Sequence, residues 1–554
     1  MPEHFSLLAR AWIPVALADG RRVFVRPCEI SEPYEGKPIL RIATGRPDCD
    51  IALTEFLIGL LAVTMDGLDR RSWPKRFRDP PSSEELEVTF APLEPAMILD
   101  GDGPRFFQDR EALEGKPTPI VALQMDAAGS STHFVKEGRT EKLSRIGAAI
   151  TLLTLQTQAP SGGAGHRTSL RGGGPLTTLV LPGLPDKAVP TLWQRLWANT
   201  PEDFHAEPDE YNRVFPWLTP TRVSDKTGVE TTPDHVHPAQ AFFGMPRRIR
   251  LLFEEARDGD TCDLTGERDD VMVSGYVTKP WGTNYTAWSK GHPLSPYYTQ
   301  KAKAVEFLPL HTKSSRIGYR QYLGLAFESE DGLRLPAKCV SEFRKTRANE
   351  FSGDAKQAMH DCQILVAGYA MDNMKPLDFA ETLVPLVITG NPTSDKHVHD
   401  TARRFVNGSD ETARLLISSV KRALYGERGD AARDSTVLEP VANRFWSDTE
   451  RDFYDALRDA ADRLISPDGV PVTRPGDTKR DLAGSWLAIL KRHAFAIFDE
   501  VVPIDSAEAD RIADVIAGRK SLGLALAGHG AVGKKLYTAL GVALPSRKTG
   551  KDKP

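Results

Sequence analysis

Apolar and polar positions change their spacing along the chain. The run WIPVALADGRRVFVRP (12–27) breaks into two short strand-like pieces about a turn at Asp19-Gly20, and IALTEFLIGLLAVTM (51–65) reads as a helix. Pro- and charge-rich sequence follows to about residue 94. LSRIGAAITLLTLQTQAP (143–160) has a helical apolar stripe that Pro160 ends, a Gly-rich stretch follows it, and LTTLVLPGL (176–184) reads as a buried strand. From there to about Tyr369 short strands and loops alternate. Near residue 395 the pattern turns helical, with amphipathic stretches at 399–426, 447–466, 479–502 and 506–530. In the third, Leu482, Trp486, Ile489, Leu490 and His493 share one face, and Ser447 and Ser506 stand where N-caps belong. The expected fold class is α+β: a large mixed α/β domain over 1–394, a four-helix bundle over 395–545 and a disordered tail over 546–554.

At 554 residues, with 40% hydrophobic and 26% charged positions, the chain is long enough for about two to four domains of an ordinary globular kind. No window reaches the roughly 18 apolar residues of a membrane span, and the N-terminus does not have a signal-peptide pattern; a cytoplasmic protein without a membrane partner is expected. The five cysteines form no CxxC pair, so buried reduced thiols are expected and a zinc site is not. No cofactor is implied.

The net charge of −4 is unlike a free-standing nucleic-acid binder. The carboxylates are unevenly spread, however. None occurs from Lys142 to Pro185, where the chain average predicts about six, and that window holds Lys142, Arg145, His166, Arg167 and Arg171. Two further acid-free windows run over 271–305 and 307–327. Cations without nearby carboxylates predict surfaces that face a polyanion.

QAPSGGAGHRTSLRGGGP (158–175) sits inside the first window. Its glycines permit positive φ and close backbone approach, so the segment suits anion or base-edge contact; composition alone fits a flexible structural loop equally well. It matches neither a P-loop nor a dinucleotide fingerprint. GYVTKPWGTNYTAWSKGHPLSPYY (275–298) interleaves lysines with aromatics, as nucleic-acid grooves do and as a Pro-rich core rim also does. GYAMDNMKP (368–376) offers a turn whose tip could part stacked bases, and STHFVKEGR (131–139) is a polar loop with Phe134, Lys136 and Arg139. HVHD (397–400) is a weak metal-pair candidate, with Asp400 a candidate N-cap. No pattern of catalytic residues stands out.

These pieces, in this order, resemble the CasA family, the large subunit of the type I-E CRISPR Cascade complex. The resemblance rests on FSLLARAWIPV (5–15), RFFQ (105–108), SLRGGGPLTT within the Gly-rich region, HPLSPYY (292–298), GYAMDNMKP and the helical C-terminal part, and so spans essentially the whole chain. It implies a non-catalytic subunit whose partners are the other Cascade subunits, the 5′-handle end of the crRNA, double-stranded target DNA, the displaced strand and a helicase-nuclease recruited in trans. It implies recognition of a protospacer-adjacent motif (PAM) in the minor groove, followed by duplex opening for R-loop formation. By position, DNA contact falls to Ser161, Gly162, Gly163, Ala164 and Gly165, to Lys279 or a neighbour, and to a wedge of Asp372, Asn373 and Met374. Phe134, Lys136, Arg139, Arg167 and Arg171 are further nucleic-acid contacts. Ala164 and Asn373 depart from the glycine and glutamine of some relatives. The competing readings are a metal-dependent single-strand nuclease using HVHD, and a scaffold subunit without direct DNA contact.

Overall fold

The computed structural model describes every residue except 1–3, 67, 70, 127–137, 164, 226–227, 302–305, 313–316, 373, 427–434, 465–474, 507–510 and 546–554. The expected tail therefore lies outside the described residues. The chain forms two compact units: Met1–Ile317 with Gly324–Leu386, and Gly318–Leu323 with Val387–Pro554.

The first unit is mixed α/β. Its central helix, α1 (Pro47–Thr64), starts on a proline at its first position, with Asp48 and Asp50 in the first turn complementing the helix dipole. It is buried on every side, so it carries no amphipathic stripe. Phe56 meets Trp12, Phe106 and Phe243 edge-on, with centroids 5.5–6.1 Å apart. A Cβ at Gly59 would stand 2.7 Å from Phe242, so only glycine lets α1 approach this aromatic cluster so closely. A second helix, α2 (Arg145–Gln158), packs on α1. The Ser144 hydroxyl caps it by accepting from the Gly147 N–H at 3.1 Å.

Two antiparallel sheets flank the C-terminal end of α2. In one, β1 (Thr177–Leu181) lies beside the long hairpin made of β4 (Gln363–Asp372) and β5 (Lys375–Pro385). The hairpin closes at the pair Asp372↔Lys375. In the other, β3 (Val271–Lys279) is central. It pairs along its length with β2 (Arg248–Glu255), ending at Lys279↔Arg248, and on its other side with Thr118–Pro119 and Leu143–Ser144. Gln108 of RFFQ locks this region: its amide donates to Leu99 O at 2.9 Å and accepts from the Leu251 N–H at 3.0 Å. All five cysteines are buried and free.

The second unit is helical. Helix α3 (Pro392–Tyr425) touches α4 (Ser435–Asp448), α5 (Glu450–Leu464), α6 (Pro475–Val501), α7 (Ile512–Leu526) and α8 (Gly530–Leu540). The four expected stretches are thus joined by two shorter helices. Pro440 disguised α4 in the sequence, although Val441 and Phe445 are buried at helical spacing. Ser447 lies in the last turn of α4 and Ser506 in a single 3-10 turn, so neither is an N-cap. On α6, Leu482, Trp486 and Leu490 are buried as expected.

The first bundle helix begins ahead of residue 395 because Asn391 caps it, accepting from the Thr393 and Ser394 N–H groups at 2.9 and 3.2 Å, with Pro392 at the first position. Asp400 is therefore inside the helix. His397 and His399 share it, and residues two apart on a helix diverge by about 200°, so the pair does not converge on one ion. The segment 318–323 joins this unit through Tyr319, which stacks on Phe453 at 4.4 Å and bonds the Thr449 hydroxyl at 2.7 Å.

Candidate nucleic-acid interface

The Gly-rich segment is a loop drawn shut at its base. Ser169 N–H donates to Ala159 O at 2.8 Å, and Gly174 N–H to Gln158 O at 3.1 Å. A Cβ at Gly173 would stand 2.6 Å from Pro160 Cα, so the two arms touch backbone to backbone. At the tip, Gly162 N–H donates to His166 O (3.2 Å) and His166 N–H to Gly163 O (3.1 Å). Gly163 has φ +88° and, among the described residues beyond its chain neighbours, nothing within 4 Å of where a Cβ would stand, whereas a Cβ on Gly165 (φ +80°) would meet Pro280 at 2.8 Å. One face of the tip is open and the other rests on Pro280-Trp281.

That rest fixes the loop against the end of β3. Trp281 N–H donates to Gly165 O at 2.7 Å, and Trp281 itself has φ +65°. Lys279, exposed, is the last residue of β3, two positions before Trp281. Met374, 50% exposed, caps the β4–β5 hairpin. Ser161, Gly162 and Met374 line one groove of about 590 Å³, together with His166, Arg247, Tyr276, Thr278 and Lys375. The structure therefore brings together three segments that lie far apart in sequence: the Gly loop, the end of β3 and the hairpin tip. Asp372 is exposed beside that tip. Ala164, Asn373, Phe134 and Lys136 lie outside the described residues, and Arg139 is exposed.

Two expected contacts are occupied elsewhere. Arg171 is 3% exposed and ion-paired at 2.6 Å with Glu55 of α1, itself 1% exposed. Its other guanidinium nitrogen donates to the Thr177 and Ser295 hydroxyls. It is an interior tie at the loop's base and offers no face to a phosphate. Arg167 donates to the Ser224 hydroxyl at 2.8 Å and lies over the Trp281 ring at 5.5 Å, so it braces the loop. The first acid-free window is neutralised from outside: Lys142 pairs with Asp260 at 2.7 Å and Arg145 with Asp269 at 2.5 Å.

The sequence reading missed Arg247. Its peptide is held on both sides by the buried Gln156, whose amide accepts from its N–H at 3.0 Å and donates to its carbonyl at 2.9 Å. Its side chain stands against Gly162 and donates to Pro160 O. Burial pushes this guanidinium down to about 10. Burial, and then the Arg247 cation, also hold the His166 imidazole below its usual value.

Across the known families, the profile described as CRISPR-associated protein Cse1 matches residues 6–497. The chain belongs to the Cse1 family. Its fold is that of solved Cse1 structures. The Cse1 of Acidimicrobium ferrooxidans is 18% identical, with a TM-score of 0.66, over 98% of this chain and 99% of that one. The CasA (Cse1) of Thermus thermophilus is 16% identical, with a TM-score of 0.66, over 94% and 99%. A chain of a CRISPR RNA-guided surveillance complex is 16% identical, with a TM-score of 0.65, over 94% and 100%. The second of these equates the CasA and Cse1 names, so the sequence resemblance and the family assignment agree. No described helix of this Cse1-family chain is long and apolar enough to cross a membrane.

Proposed function

We propose that this chain is the large, non-catalytic subunit of a crRNA-guided type I-E Cascade complex, and that the groove edged by the Gly loop and the β4–β5 tip reads the PAM in duplex DNA. The observation that carries this is the convergence of Ser161, Gly162 and Met374 on one groove, beside the end of β3 that bears Lys279. Membership of the Cse1 family and likeness to a surveillance-complex chain support the Cascade assignment. An open glycine tip lets a backbone come close to the floor of a minor groove, where the hydrogen-bond code is degenerate and recognition is permissive. Sequence discrimination then passes to guide pairing. Local opening requires a few kcal/mol per base step, which an exposed Met374, preceded by Asp372 and Asn373, helps supply as a wedge. In this reading the subunit holds the 5′-handle end of the crRNA, steers the displaced strand and recruits the helicase-nuclease.

The test compares assembly with DNA binding. Lys279→Ala, and prolines at Gly162 and Gly163, are expected to leave incorporation into the crRNA-loaded complex intact while weakening binding to PAM-bearing duplex at least about tenfold. Unchanged binding by the assembled complex removes the PAM assignment and favours the scaffold reading.

A further inference from the structure

Two adjacent arginines, Arg247 just before β2 and Arg248 at its start, have opposite surroundings. Arg248 is neutralised by Asp109 at 2.6 Å and Glu111 at 2.8 Å. Arg247 has no carboxylate within ion-pair distance among the described residues, and its Nε is buried without a hydrogen-bond partner. Its only described side-chain bond is the one to Pro160 O at the root of the Gly loop. A desolvated guanidinium without a counter-charge is unfavourable unless an anion completes it.

The groove that Arg247 lines is built for such an anion. None of its lining residues is Asp or Glu, and Lys375 lines it as well. Part of the lining is apolar, from Leu155, Met125 and Ile249. Its volume of about 590 Å³ is several times that of a simple ion. The combination of a cationic wall, an apolar wall and no carboxylate suits a phosphodiester with its attached sugar and base.

We infer that Arg247, assisted by Lys375, binds a backbone phosphodiester of the DNA strand that passes over the Gly loop, with the attached nucleotide lying in the groove. This rests on the DNA-reading role proposed above. It adds to that role a fixed phosphate anchor behind the glycine tip. The anchor sets how deep the strand lies and so which base step faces Met374.

The experiment uses the assembled crRNA-loaded complex and duplexes carrying one neutral methylphosphonate at each successive position on either strand near the PAM. With the wild-type chain, one position is expected to lose about 10-fold or more in affinity. With Arg247→Met the same substitution is expected to lose nothing further, and the slope of log affinity against log salt to fall by about one. Equal methylphosphonate profiles in wild type and Arg247→Met overturn the inference. If Arg247→Met does not assemble, Lys375→Gln, on an exposed hairpin residue, takes its place. It is expected to blunt the effect at the same or an adjacent phosphate, and an unaltered profile overturns the inference equally. A wild-type complex that shows no PAM preference refutes the underlying reading. A preference retained without any coupling to Arg247 refutes the anchor alone.

Discussion

Removing Glu55 while keeping Arg171 is expected to be more damaging than removing both. The two side chains are 1% and 3% exposed and meet at 2.6 Å. Glu55→Leu leaves a guanidinium buried without a counter-charge, which costs about 3–5 kcal/mol. That is a large share of the roughly 5–15 kcal/mol that holds a typical domain together. In the double variant Glu55→Leu/Arg171→Met neither charge of the pair remains at this site. The Ser295 hydroxyl still donates to Leu176 O at 2.9 Å, so the main residual loss is the Thr177 hydroxyl, which donates to Glu55. One unsatisfied buried hydroxyl costs about 1–3 kcal/mol. Urea unfolding followed by tryptophan fluorescence reads Glu55→Leu, Arg171→Met and the double variant, and the double variant is expected to be more stable than Glu55→Leu by about 1–3 kcal/mol. The same proteins, assembled into the complex, give the salt dependence of DNA binding, which Arg171→Met should leave unaltered in slope. A stable Arg171→Met protein whose slope falls by about one would refute this reasoning and return Arg171 to the DNA surface.

Stability of the first unit is expected to fall as the pH drops below about 6.5. Burial, and then Arg171, hold the folded-state His292 well below its usual value, so below that pH the unfolded chain takes up the proton first. The loss approaches about 1.4 kcal/mol per pH unit for this residue; urea titrations at pH 7 and pH 5.5 check it, and His292→Gln should reduce the difference, the part left coming from His166, His237 and His311, which burial also holds low. Tyr319→Ala removes a fully buried ring from the helical unit and should destabilise that unit by about 3–5 kcal/mol, read as a lowered thermal midpoint of the helical circular dichroism signal; an unchanged midpoint contradicts the packing described. All five thiols are buried, and burial raises Cys49, Cys339 and Cys362, the last to about 12, so a thiol reagent should label the native chain far more slowly than the denatured one.

The parts of the site that could be read in the sequence are those whose signals are local. Ser144 and Pro160 bracket α2, and the glycines after it mark a loop whatever packs on it. The turn GYAMDNMKP was legible, but the return strand β5 was not, because Leu377 and Leu383 are exposed among acids and break the expected alternation. Charge was misleading because neutralisation is not local. The carboxylates that meet Lys142 and Arg145 come from residues 260–270, and the one that meets Arg171 lies on α1. Arg247 gave no signal at all: its significance lies in the absence of a carboxylate partner among the described residues, which sequence next to a paired Arg248 does not display.

The claim that the open glycine tip reads the PAM is tested most directly at Gly163, whose Cβ would have nothing within 4 Å among the described residues beyond its chain neighbours. Gly163→Ala adds a methyl group on the open face, at an intrinsic backbone cost of about 1–2 kcal/mol. The measurement is selection, by assembled complexes, of duplexes randomised beside the protospacer. The wild-type complex is expected to enrich a restricted set of flanking sequences, and the Gly163→Ala complex, assembled in equal yield, to lose that enrichment by about tenfold or more. Equal enrichment by the two complexes would contradict the account.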